Sequence, residues 1–308
     1  MLVSRLAAAC VLSVVSASAM AGSYSLAQVG DLTFTLIDLD PTDGIDPSYT
    51  LLALQAGSFS SVSATANDTA QGWSESESRS RNLSFYPLDA TAEAGGASAQ
   101  AQVRPDAVSA SGVANGPGTS YNAAASSGGN GYYYYAGYGI ELSARSALVV
   151  SATASAQTWA GNATCTTGGI SYYYGSCGSE AASASASLNL SYSYSSGTTS
   201  TQYSFADQVM ASSSAAGTYG YQYDPYYGYR YVALPGVDQG QDNSRVLTAV
   251  FTNSSDVFQN ASLGLAASVQ GSATTMVPEP STLAMQALGL AGIAGLVARR
   301  RRARSRQA

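Results

Sequence analysis

The run Asp38-Leu39-Asp40-Pro41-Thr42-Asp43-Gly44-Ile45-Asp46 is the best candidate for a binding site in this chain. Carboxylates at close spacing around a glycine suit calcium, a hard cation that takes oxygen ligands. The run lacks the full EF-hand pattern, because no glutamate closes the loop. Pro41, Asp43 and Gly44 are also turn formers, so a strand end followed by a turn is the preferred reading. A calcium site stands as the alternative, with Asp38, Asp40, Asp43 and Asp46 as its ligands, and no other cofactor is expected.

Other chemistry is hard to assemble. The chain has no histidine to act as a base and no lysine to form a Schiff base or assist a serine. It also lacks a Gly-x-Ser-x-Gly elbow, a cysteine–histidine pair and a phosphate loop. A glycosidase needs two carboxylates, and Glu75, Glu77, Glu93, Glu141 and Glu180 are available. None of them sits in a segment that reads as a rigid cleft. The chain therefore reads as a non-enzyme, with a secreted glycosidase as a remote alternative.

Two further residue types stand out. Cys165 and Cys177 are the cysteines left once Cys10, in the leader described below, is set aside. An even pair in an exported protein predicts a disulfide. Closing so short a loop stabilises by roughly 3 kcal/mol on the chain-entropy view. A redox or metal pair is the disfavoured alternative. The tyrosines cluster at Tyr132–Tyr135 with Tyr138, at Tyr172–Tyr174, and at Tyr219, Tyr221, Tyr223, Tyr226, Tyr227, Tyr229 and Tyr231. Tyrosine combines a rigid apolar face with a polar tip, which suits contact surfaces. Stacking on sugars or on other chains and packing back over a thin core carry equal weight. Trp73 and Trp159 are isolated, and burial is expected for both. Asn-x-Ser/Thr triplets at Asn67, Asn82, Asn162, Asn189, Asn253 and Asn260 arise readily in so serine-rich a chain.

The elements that position these residues read as strands. Leu32, Phe34 and Leu36 alternate, as do Leu188, Leu190, Tyr192 and Tyr194, and Leu263, Leu265, Ala267 and Val269. Leu148–Val150 and Val246–Phe251 are apolar on both faces, as central strands would be. Weaker candidates are Thr50–Leu54, Leu83–Tyr86, Ile140–Ser143 and Tyr203–Phe205. Short alternating strands without a long amphipathic helix predict an all-β, antiparallel, jelly-roll-like β-sandwich. A β-solenoid is the competitor, and the absence of a fixed repeat counts against it. Ser58–Ser80 and Ala90–Gly131 are low in complexity and read either as loose segments or as plain strands with small side chains. So few large apolar residues suggest one modest core with long Ser/Ala/Gly/Tyr-rich loops.

The two ends say where the chain goes. Residues 1–21 have Arg5, an apolar core from Leu6 to Val15 and the exit Ala19-Met20-Ala21, which describe a secretory signal helix cut after Ala21 by signal peptidase. Cleavage after Ala19 is the alternative. The exported body, 22–276, carries six arginines against eighteen acids, a net charge of about −12. That balance argues against nucleic acid and against an anionic lipid surface. At the other end, Val277-Pro278-Glu279-Pro280 precedes an uncharged stretch from Ser281 to Ala298 and then Arg299, Arg300, Arg301 and Arg302. As a helix, the stretch is just long enough to cross a membrane, and the arginines hold its end in the cytoplasm.

The order Pro-Glu-Pro, apolar span and arginine cluster over 277–306 resembles the PEP-CTERM sorting signal of exported proteins in Gram-negative bacteria that make extracellular polysaccharide. The resemblance implies recognition of Val277–Pro280 by an exosortase. A transient membrane anchor and release to the cell surface or beyond would follow. The body also resembles the Ser/Ala/Gly-rich β-domains found upstream of such tails. The function this reading supports is a structural or adhesive component of the envelope or exopolysaccharide matrix, with extracellular polysaccharide as its partner. A carbohydrate- or calcium-dependent binding module is the alternative.

Overall fold

Period-two alternation of small residues and serine builds most of this molecule. The computed structural model describes residues 22–52, 58–82, 86–129, 138–161, 163, 177–196, 199–234 and 236–274. The signal segment 1–21, the sorting segment 277–306 and Leu83–Phe85 lie outside them. Among the described residues every regular element is a strand, and no helix is long and apolar enough to cross a membrane.

The strands are β1 (Ser23–Asp38), β2 (Tyr49–Leu52), β3 (Ser58–Asp68), β4 (Trp73–Arg81), β5 (Leu88–Ala94), β6 (Ala97–Val103), β7 (Val108–Ala114) and β8 (Thr119–Gly129). They continue with β9 (Tyr138–Leu142), β10 (Ser146–Ala160), β11 (Ser179–Ser196), β12 (Thr199–Ala216), β13 (Thr218–Asp224), β14 (Gly228–Leu234), β15 (Gln239–Asn253) and β16 (Gln259–Ala273). One sheet runs β15-β10-β1-β7-β6-β5, and the second runs β12-β11-β16-β8-β3-β4 with β9 and β2 added beside β16. All their pairings are antiparallel. The sheets share one buried core, an arrangement consistent with a β-sandwich.

One open reading is decided here and one expectation is corrected. Of the two readings given to Ser58–Ser80 and Ala90–Gly131, plain strands with small side chains hold for most of both, in place of long loops. They form β3 to β8, with Ala64, Ala66, Ala90, Ala92, Ala99, Ala101, Ala110, Ala123 and Ala125 buried. Alanine gives up no rotamer freedom on burial, so a face of alanines opposite another face of alanines forms a core by close approach of backbones. The large side chains gather elsewhere, around Ile140, Leu142, Leu148, Leu188, Leu190, Leu247, Phe251, Leu263 and Leu265. Tyr192 closes that end, stacked on Tyr203 at 5.0 Å between ring centroids and tilted against Phe251 at 4.8 Å. The correction concerns Val246–Phe251. It belongs to an edge strand, β15, so Leu247, Ala249 and Phe251 are buried while Val246 is 61% exposed. By contrast, Leu148 and Val150 do lie in an interior strand, β10, between β1 and β15.

Edge strands β4 and β5, and edge strands β12 and β15, are stitched together across the layers by side chains. On one side β4 turns Glu75, Glu77 and Arg79 to the same face as the buried Ala66, Ala64 and Val62 opposite them. Glu77 accepts the Thr91 N–H at 2.8 Å and Glu75 accepts the Glu93 N–H at 2.9 Å, both from β5. On the other side Asp207 of β12 accepts the Thr248 N–H of β15 at 3.0 Å and pairs with Arg245. Gln241 accepts the Ser212 N–H, and Asn243 donates to the Met210 carbonyl. Inward-pointing charges that consume edge N–H groups blunt a sheet edge against further strands.

Candidate functional site

The Asp38–Asp46 run is built as a strand end and a turn. Asp38 Oδ1 accepts the Asp40 N–H at 2.9 Å, Asp40 Oδ1 accepts the Thr42 hydroxyl at 2.6 Å, and Asp43 Oδ1 accepts the Ile45 N–H at 2.7 Å. The Asp43 N–H closes the turn on the Asp40 carbonyl, and Gly44 takes φ +73°. Arg145, from the β9–β10 connection, reaches Asp40 at 3.1 Å, Asp43 at 3.7 Å and Asp256 at 2.7 Å. The guanidinium thus pairs with Asp40 and Asp43, two of the four carboxylates that the calcium alternative names. Asp46 is exposed. Among the described residues no three His, Cys, Asp or Glu side chains converge on a metal position. The Asp40 carboxyl is held below the usual carboxylate range, first by its bonds from Thr42 and then by Arg145.

The same end of the molecule is braced by Asn253, which is 1% exposed. Its Nδ2 donates to the carbonyls of Leu142, Ser143 and Val257, and its Oδ1 accepts from Ser255 N–H and hydroxyl. This asparagine heads an Asn-x-Ser triplet, yet its amide is used up inside the fold.

The tyrosines of 219–231 form a separate two-stranded ribbon, β13–β14. The local sequence Asp224-Pro225-Tyr226-Tyr227-Gly228 explains the turn. Asp224 Oδ1 accepts the N–H groups of Tyr226 and Tyr227 at 2.8 and 3.2 Å, and Gly228 takes φ +75°. That turn leaves Tyr226 92% and Tyr227 79% exposed. Tyr221, Tyr223 and Tyr229 are also exposed, with Tyr223 edge-on to Tyr229 at 5.4 Å. Of the two readings given to these rings, core cover does not apply to Tyr221, Tyr223, Tyr226, Tyr227 and Tyr229. Tyr132–Tyr135 and Tyr172–Tyr174 lie outside the described residues. Trp73 departs from its expected burial and is 58% exposed on edge strand β4, whereas Trp159 is half-buried.

Cys177 lies just before β11, and Cys165 is outside the described residues. The glutamates named as possible catalysts are spread over the fold. Glu75 and Glu77 bind the edge of β5. Glu93 lies on β5, Glu141 on β9, and Glu180 is buried at the start of β11. A broad open groove lined by Asn67, Asn122, Ser183, Ser212, Gln239 and Gln270 holds no carboxylate.

Two residues matter in ways the sequence did not indicate. Glu180 Oε2 accepts the Gly22 N–H at 2.8 Å. Tyr121 is 2% exposed, exchanges a 2.6 Å hydrogen bond with Ser25, and fits against two glycines, Gly112 and Gly271. The isolated tyrosine among alanines was the available signal for Tyr121. Glu180 carried no local signal.

The PEP-CTERM protein-sorting motif family matches residues 277–302. The match covers the tail and includes Val277, Pro278, Glu279, Pro280 and the arginines 299–302. A motif of this kind marks an exported protein of a Gram-negative bacterium, sorted at the membrane through an exosortase. No curated protein and no solved structure matches the chain.

Proposed function

We propose that the chain is a non-catalytic structural or adhesive component of the envelope or exopolysaccharide matrix. Signal peptidase removes residues 1–21, an exosortase acts at Val277–Pro280, and a Cys165–Cys177 disulfide closes the loop ahead of β11. The observation that carries the reading is the ribbon β13–β14, which holds Tyr221, Tyr223, Tyr226, Tyr227 and Tyr229 in water on a turn rigidified by Asp224. Exposed aromatic faces are suited to stacking on sugar rings. A net negative body adds no electrostatic attraction to an anionic polymer, so contact by ring faces is the mode that fits.

The test is electrophoresis of the mature protein through gels cast with the producing organism's exopolysaccharide. The native protein is expected to be retarded, and Tyr226→Ala with Tyr227→Ala is expected to lose most of that retardation with an unchanged melting temperature. A native protein that migrates as freely as in a plain gel would refute the contact role.

A further inference from the structure

The first residue of the exported body is also the residue that a buried carboxylate holds. Glu180 is 1% exposed, and its Oε2 lies 2.8 Å from the Gly22 nitrogen. The Gly22 carbonyl accepts the Gly161 N–H at 2.8 Å, so this residue is fixed at both of its polar atoms. The site also demands glycine. A Cβ at position 22 would meet Asn115 Oδ1 at 2.5 Å and the Ala114 carbonyl at 2.7 Å. Strand β1 begins at the next residue, between β7 and β10 in the middle of its sheet.

We propose that cutting the Ala21–Gly22 bond frees a Gly22 α-ammonium that forms a buried ion pair with Glu180, so that export processing completes the fold. This rests on the export reading above, with signal peptidase as catalyst. Water adds across the amide: the Ala21 carbonyl carbon takes the oxygen and leaves as a carboxylate, and the Gly22 nitrogen takes the protons and becomes an ammonium. Before the cut, the nitrogen offers Glu180 one neutral N–H. After it, the same atom offers three donors and a full positive charge. A carboxylate taken out of water is tolerated when a charge is paired with it, and charge-assisted hydrogen bonds are about twice as strong as neutral ones. Because Gly22 is buried in the folded body, the cut precedes closure of β1 into its sheet. The pair also reaches the other exit of the body. Glu180 lies opposite Ala273, and Thr274 is bound to the Ser179 carbonyl through both its N–H and its hydroxyl.

The sequence provides a clean probe. All thirteen basic residues are arginine, so the α-amine is the only primary amine in the processed protein. The experiment is reductive dimethylation of the full processed chain recovered after export, read by intact mass and by the N-terminal peptide. The expected result is a chain beginning at Gly22 whose terminus is modified more than ~10-fold more slowly in the native state than in denaturant, as for a group exposed only by opening. Glu180→Gln is expected to abolish most of that protection. A terminus that reacts natively as fast as in denaturant overturns the ion pair while leaving the export reading intact. A chain that begins anywhere other than Gly22 overturns both the cut and the pair. If Glu180→Gln does not accumulate, the native-to-denatured ratio of the unaltered protein decides the question, with Glu180→Asp as the second variant.

Discussion

Tyr121 shows what one side chain does in a core made largely of alanine. Its ring fills a slot left by Gly112 and Gly271, where a Cβ would meet ring atoms at 2.0 and 2.4 Å. Burial pushes the phenol up to about 12, against a smaller opposing effect of its hydrogen bond with Ser25. The folded pKa lies above the unfolded value, so the stabilisation is complete below pH 10 and is lost as pH rises from about 10 to about 12. Tyr121→Phe removes that titration. Chemical denaturation across this interval is expected to show a loss on the order of 2–3 kcal/mol in the native protein beyond that of the variant. Tyr24 and Tyr192, also raised by burial, leave a residual slope in both. Arg145 makes a different point at this scale. The acidic run is visible in the sequence, but its cation comes from a residue more than a hundred positions away.

At the scale of elements, the Ser/Ala tracts proved to be strands because alternation, not side-chain size, determines which face meets the partner sheet. An alanine–serine alternation has little hydrophobic contrast, which is why it reads as low complexity from the sequence alone. The edges follow the same logic. Glu75 and Glu77 sit where an interior strand would place apolar residues, and they occupy N–H groups of β5 that would otherwise be open to another chain. Glu75→Ala with Glu77→Ala is expected to raise the sedimentation coefficient above that of the native protein through edge-to-edge association, measured by sedimentation velocity. An unchanged sedimentation profile would assign the edge protection to other features. The Glu77 carboxyl is lowered from 4.5, chiefly by the Thr91 N–H and next by Arg79. Its contribution is therefore present above about pH 4.5 and is lost as pH falls through the lowered folded value, so acid should open this seam in the unaltered protein as the double variant does at neutral pH.

At the scale of the whole molecule, both chain ends of the exported body leave at one pole. Ser23 pairs with Ala160 and Ala114, and Ala273 pairs with Glu180 and Thr119. The turn of Asp38–Asp46 and the Asn253 brace sit at the opposite pole, where Asp38, Ser146 and Asn253 are in register. Replacing Arg299–Arg302 with neutral residues is expected to impair retention and C-terminal processing. Intact masses of cell-bound and shed protein would then show residues after about Pro280 kept in the variant and lost in the native chain. Equal masses would refute the topology.

The destination of this protein was determined by sequence alone, because export and sorting signals are contiguous segments read before or apart from folding. The Pro-Glu-Pro tail carries its meaning in local composition. Strand faces such as Leu263, Leu265, Ala267 and Val269 were equally legible, since a period of two is a local property. What tertiary structure decided is everything made from distant partners: the alanine core, the stitched edges, the Arg145 clamp and the Glu180 bond to Gly22, 158 positions away. Those contacts follow from sheet order and register, which long-range pairing sets and local pattern does not.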